Sequence, residues 1–92
     1  MSYEIEYLPE ALEDLEKHRK AGNKQLIKKI SKLIDELRKH PYDGTGKPEQ
    51  LKYYQDATWS RRIDDKHRMV YEIHNEKVVI LILALWGHYK DK

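Results

Sequence analysis

Six apolar residues, Leu26, Ile27, Ile30, Leu33, Ile34 and Leu37, recur at helical spacing until His40-Pro41 stops the run. A stripe of that kind needs a surface to cover, and the rest of the chain supplies one. Downstream the apolar period changes from 3.6 to 2. Thr58 to Ile63, Arg68 to Ile73 and Val78 to Leu85 read as strands, with Met69, Tyr71 and Ile73 on one face of the second. Asp64-Asp65-Lys66 and His74-Asn75-Glu76-Lys77 are the turns between them. Connections this short do not permit crossovers, so the three strands form an antiparallel meander. The near-continuous apolar run of the last strand predicts cover on both of its faces.

Upstream, Tyr3, Ile5 and Tyr7 alternate with Ser2, Glu4 and Glu6, the pattern of a strand with one buried face. Pro9 suits the first turn of a helix that runs to about Lys20, with Ala11, Leu12 and Leu15 as its apolar stripe. Glu10, Glu13 and Asp14 fall near its start and Lys17, Arg19 and Lys20 near its end, the order the helix dipole favours. His18 and His40 then sit near helix ends for the same reason. Gly22 stops this helix and Asn23 can cap the next. The expected fold is α+β in the order β-α-α-β-β-β. It is a small, mainly antiparallel twisted sheet with two N-terminal helices on one face, one domain over residues 1–92.

Composition narrows the function classes. A chain of 92 residues buries roughly 60–65% of its unfolded surface, enough for one core. The absence of cysteine excludes a disulfide framework and a Cys-based zinc site, and it fits a reducing cytoplasm. No apolar run is long enough to span a bilayer, so a cytoplasmic protein without a membrane partner is expected. There is no P-loop, dinucleotide fingerprint or G-x-S-x-G, and no histidine pair has metal-ligand spacing. No metal or cofactor is expected. The net charge is +2, but residues 21–40 carry six bases against two acids. Lys24, Lys28, Lys29 and Lys32 are either a phosphate-binding face or an ordinary solvated helix face.

The chemistry concentrates between the two halves. Gly44-Thr45-Gly46-Lys47-Pro48-Glu49-Gln50-Leu51-Lys52 is too rich in Gly and Pro for a helix or a central strand. A short segment, Leu51 to Tyr54, follows it. Glu49 stands between Lys47 and Lys52, outside the regular elements. Cations would keep it ionised and partial burial would raise its basicity, which makes it a candidate base; the alternative is an exposed loop acid. His88 follows the last strand through Trp86-Gly87 and is a candidate acid, with Tyr89 beside it. The alternative is an incidental tail histidine. Arg68 faces away from Met69, Tyr71 and Ile73, and its fork suits phosphate; a cross-strand ion pair with Asp64, Asp65 or Glu72 is the alternative. Arg61 and Arg62 point to opposite faces, so at most one of them shares a site with Arg68. A base, an acid and cations are the parts that cleavage of RNA by its own 2′-OH requires, with no metal.

The run from Pro41 to Lys52, together with Trp59-Ser60-Arg61-Arg62-Ile63, His67-Arg68-Met69-Val70-Tyr71 and His88-Tyr89, resembles the YoeB/Txe branch of the RelE toxin superfamily. The resemblance runs nearly the whole chain. It implies the toxin of a type II toxin–antitoxin pair, a metal-independent mRNA endoribonuclease acting in the ribosomal A site. A YefM-like antitoxin would be its partner, beside the ribosome and mRNA, and a homodimer stays open. Glu49 would be the base, Arg68 the phosphate stabiliser and His88 the acid, with Tyr89 supporting the site. Lys47, Lys52, Arg61 and Arg62 would hold RNA. Two other readings use the same scaffold: a non-catalytic, gyrase-poisoning toxin of the ParE type, and an inactive remnant that binds only RNA or antitoxin.

Overall fold

The second helix, α2 (Lys24–Lys39), forms where the apolar stripe places it. The Asn23 side chain caps it by accepting the Leu26 N–H at 3.2 Å. Leu26, Ile30, Leu33 and Leu37 are buried, with Ile34 packed beside them. They meet Ile63, Met69, Tyr71, Ile73, Ile80 and Ile82 from the sheet, and burying each large aliphatic side chain contributes about 1.5–3 kcal/mol. The computed structural model describes residues 2–52 and 57–87.

Around α2 stand β1 (Glu4–Tyr7), α1 (Pro9–Lys20), β2 (Glu49–Gln50), β3 (Thr58–Arg62), β4 (Arg68–His74) and β5 (Val79–Ala84). The strand order is β1-β5-β4-β3-β2. β1 runs parallel to β5, and the remaining pairs are antiparallel. The meander is as expected, and both helices cover one face of the sheet.

Three details differ from the sequence reading. The first concerns α1. Leu12 is 51% exposed, and the residues that α1 buries are Ala11, Asp14 and His18. The reason lies at the end of β5. The Leu85 N–H donates to Asp14 Oδ2 at 3.0 Å, and its carbonyl accepts from His18 Nε2 at 2.8 Å. Leu85 is itself buried, so its backbone groups need partners, and polar side chains of α1 provide them. His18 is therefore a buried donor and not a surface residue at a helix end.

The second concerns β5. Ile80 and Ile82 are fully buried under the helices, but Val79 and Leu81 are only half-buried on the opposite face. On that face they lie beside Glu4 and Glu6 of β1, and β5 is covered on one side only among the described residues.

The third concerns Glu49. It is not outside the regular elements: with Gln50 it forms the edge strand β2, paired to Ser60 and Trp59 of β3. Two residues are too few to show a period, and an edge position tolerates the Gly and Pro that precede it. Leu51 continues the contact, its N–H reaching the Thr58 carbonyl at 2.8 Å. Tyr53 and Tyr54 of the expected segment lie outside the described residues.

Candidate active site

The connection from α2 to β2 is held by one buried arginine. Arg61 is 0% exposed, and its guanidinium makes five hydrogen bonds. Nε donates to Tyr71 Oη at 3.1 Å. Nη1 donates to Glu36 Oε1 at 3.0 Å and to the Thr45 carbonyl at 3.3 Å. Nη2 donates to the Asp43 carbonyl at 2.6 Å and to the His40 carbonyl. These bonds use the whole donor capacity of the fork, which is what permits a charge to be buried here. The Tyr71 hydroxyl passes the link on, donating to the Pro41 carbonyl at 3.1 Å.

Glu36, on the last turns of α2, closes the cage. Its carboxylate accepts the Thr45 N–H at 2.7 Å and the Thr45 hydroxyl at 2.8 Å. The Thr45 N–H, then its hydroxyl, hold the Glu36 carboxyl below the usual carboxylate range, against desolvation and with help from Arg61. Burial raises the Tyr71 phenol, with Arg61 pulling it back part of the way.

The last part of this connection is set by Gly46. Its carbonyl accepts the Arg62 N–H at 2.7 Å and its φ is +91°. A Cβ there would lie 2.7 Å from the Arg62 carbonyl oxygen, closer than side chains come to backbone, so only glycine fits.

That anchoring delivers Glu49 to the face of the sheet opposite the helices. Directly paired residues share a face, so Glu49 lies with Ser60, and Arg62 lies with Arg68. Arg68 Nη1 is 3.3 Å from Ser60 Oγ and 3.9 Å from Glu49 Oε1. The Glu49 side chain is 64% exposed and that of Arg68 21%. An ion pair this open contributes about 0–1 kcal/mol to stability, so the arrangement offers two charged groups to a ligand instead of holding the fold. Arg62, directly paired with Arg68, is exposed, as are Lys47 and Lys52. The Arg68 N–H donates to the Gly87 carbonyl at 2.9 Å, tying the start of β4 to the residue before His88. His88 and Tyr89 lie outside the described residues.

Two expectations are corrected. Arg61 does not face RNA: it shares the inward phase of Trp59 and Ile63, and its fork is committed to the cage. Of the two adjacent arginines, Arg62 is the one on the face of Arg68. Glu49 is not partly buried as expected: its side chain stands open to solvent. Sequence reasoning also missed Glu36, Thr45 and Tyr71 as the supports of the Glu49 connection. The apolar Trp59 and Ile63 on alternate positions were the available signal for Arg61; none pointed to Glu36.

A family model described as the YoeB-like toxin of bacterial type II toxin-antitoxin systems matches residues 7–89. The chain belongs to this YoeB-like family. Toxin YoeB of Escherichia coli (strain K12) is 43% identical over 67 residues, covering 73% of this chain and 77% of that protein. The YoeB dimer from Staphylococcus aureus superposes with a TM-score of 0.82 at 33% identity, covering 97% of this chain and 100% of the other. The YoeB-YefM complex from the same organism gives 0.79 at the same identity and coverage. The RelE-like α+β fold is thereby established, as is the place of this YoeB-like chain among toxins of toxin–antitoxin systems.

Proposed function

We propose that this YoeB-like toxin is a metal-independent endoribonuclease that cleaves translated message in the ribosomal A site. The observation that carries the reading is the placement of Glu49 and Arg68, 3.9 Å apart on the open face of the sheet, with Arg62 opposite Arg68. Glu49 takes the proton from a ribose 2′-OH, and the freed oxygen attacks the adjacent phosphorus. The bond from phosphorus to the 5′-oxygen breaks, and that oxygen takes a proton from His88. The products are a 2′,3′-cyclic phosphate and a 5′-OH end. Arg68 stabilises the charge that develops on the phosphoryl oxygens, and Tyr89 supports the acid. Lys47, Lys52 and Arg62 hold the backbone on either side.

The exposure of Glu49 supports a requirement for the ribosome. A carboxylate in open solvent does not by itself orient a 2′-OH in line with its phosphorus. A message already held in a fixed path supplies that alignment, which can be worth several kcal/mol of barrier. A YefM-like antitoxin is the proposed partner, by analogy with the S. aureus complex, and the dimer of that relative supports self-association here. Among the described residues no helix is long and apolar enough to cross a membrane, and the cytoplasm is the proposed compartment because ribosomes are its target.

Mapping message 5′ ends after induction tests the reading. Glu49→Ala, Arg68→Ala and His88→Ala should each slow cleavage by about 10²–10⁴-fold while leaving the thermal midpoint close to wild type. EDTA should leave cleavage unchanged. Full activity in both Glu49→Ala and His88→Ala would sink the acid–base assignment, and strong inhibition by EDTA would sink its metal independence.

A further inference from the structure

A second cluster of side chains, unused by the proposed reaction, closes on the chain where it leaves β5. Asp14 and His18 hold the Leu85 N–H and carbonyl. Two residues on, the Gly87 N–H donates to His67 Nδ1 at 2.8 Å, and the Gly87 carbonyl accepts the Arg68 N–H at 2.9 Å. Trp86 lies between, its ring centroid 4.7 Å from that of His18 and 4.6 Å from that of His67. The two imidazoles meet edge to face at 4.7 Å. Burial explains the bonds to Leu85, which would otherwise be unsatisfied. It does not explain the grip on Gly87, which is only half-buried and has open space where a Cβ would stand. Water could serve both of its backbone groups. Instead they are bound by His67 and Arg68, consecutive residues, one of which carries the proposed phosphate-stabilising side chain.

We propose that His67, backed by Asp14 and His18, is a positioning residue that fixes the Gly87 peptide against Arg68 and so sets where the chain delivers His88, and that it does this only as a neutral imidazole. The proposal rests on the assignment of His88 as the acid. The protonation requirement follows from donor and acceptor roles. An N–H donates to Nδ1, so Nδ1 must be unprotonated and the ring proton must be on Nε2. A second proton turns Nδ1 into a donor facing another donor. His18 carries no such condition, because its Nε2 donates to a carbonyl in either state. The charged groups around His67 pull both ways. Asp64, in the same turn, accepts the His67 and Lys66 N–H groups at 2.8 Å each and favours the cation. Arg68, next in the chain, opposes it, and the other titratable group against the ring is His18 from α1. Asp14 acts from beyond Leu85, and Lys17 stands 5.4 Å from the centroid of the Trp86 ring.

Two substitutions separate the hydrogen bond from the ring packing. His67→Phe keeps a ring against His18 and Trp86 but has no acceptor. His67→Asn sets an amide oxygen near the place of Nδ1 and does not titrate. Single-turnover cleavage on message-programmed ribosomes should fall on the order of 100-fold in His67→Phe at saturating ribosomes, with ribosome affinity unchanged, and recover most of that loss in His67→Asn. In the wild-type protein the Gly87 amide resonance should move together with the His67 ring resonances as the ring is titrated, and in His67→Asn it should show no such step. Wild-type cleavage by His67→Phe, or a Gly87 amide blind to His67 titration, overturns the proposal. The wild-type amide readout needs no catalysis, and it can be followed whether or not His67→Phe folds. If Glu49→Ala and His88→Ala remain active, the acid–base reading fails while the Gly87 amide still decides the role of His67 as a clamp.

Discussion

Arg61 and Arg62 are neighbours in β3 and do opposite things. Arg61 is fully buried, with every guanidinium donor engaged, and it fixes the connection between α2 and β2. Arg62 is exposed on the face that carries Arg68 and Glu49. One residue of register separates a structural charge from one available to a ligand. The contrast shows how a small protein keeps an open site in shape. The site itself holds little binding energy within the protein, so its geometry has to come from the other side of the sheet. The cage of Arg61, Glu36, Thr45 and Tyr71 supplies it.

The sharpest way to break this comparison is to remove each arginine in turn. Arg61→Ala strands the Glu36 carboxylate and leaves three loop carbonyls without their donor. It should cost about 3–5 kcal/mol, a large share of the roughly 5–15 kcal/mol that holds a domain of this kind together. Arg61→Lys keeps the charge but cannot reproduce the fork, and it should recover little of that loss. Arg62→Ala should change stability by no more than about 0.5 kcal/mol while weakening binding to message-programmed ribosomes. Urea unfolding curves on the three variants decide it. Equal destabilisation by Arg61→Ala and Arg62→Ala would remove the distinction.

The division between faces also marks what could be read from sequence. The helical stripe of α2 and the alternation in β3 and β4 are periodic over enough residues to fix both element type and orientation, so the layers of the fold were legible. The alternation even placed Arg61 and Arg62 on opposite faces. The apolar Trp59 and Ile63 share the phase of Arg61, but an arginine in that phase reads as surface unless its acceptors are known. Three of those acceptors are backbone carbonyls of residues 40–45, brought to β3 by the closure of the connection. Asp14 and His18 were illegible for the same reason: their burial answers the backbone of Leu85, distant in sequence. The direction of Arg68 was legible from alternation, and Glu49 was singled out by its flanking lysines and by the family resemblance. That Glu49 belongs to an edge strand was hidden, since β2 is two residues long.

Gly46 is where the two regions join, and it gives a smaller effect of mixed kind. Gly46→Ala puts a methyl group 2.7 Å from the Arg62 carbonyl at a φ of +91°. Backbone strain of that sort costs about 1–3 kcal/mol. The connection can relieve it only by lifting away from β3, which moves β2 and Glu49. Cleavage should therefore fall by more than the loss of stability accounts for, whereas Gly22→Ala, with φ +71° but open space around it, should lower stability alone. Proportionate losses in both variants would show that Gly46 does not set the position of Glu49.

The smallest expected effect is on pH dependence and isolates the charge of Glu36. Its carboxyl is held below the ordinary value of 4.5, first by the Thr45 N–H and then by the Thr45 hydroxyl. A depressed folded pKa means that the folded state holds the anion more tightly than the unfolded chain does. The resulting stability is complete above the unfolded pKa and is lost as pH falls through the lower folded one. Glu36→Gln keeps the shape and an acceptor for Thr45 but removes this dependence. Because the Glu36 side chain is 29% exposed, water can compensate Arg61 in part, and the cost at neutral pH should be about 1 kcal/mol. Urea midpoints followed from pH 7 down to pH 3 should then fall less steeply in Glu36→Gln than in wild type. The two curves should draw together toward the acid end, as the folded wild-type Glu36 takes up its proton. Parallel curves would mean that the cage is held by the Arg61 fork alone and that its carboxylate partner is incidental.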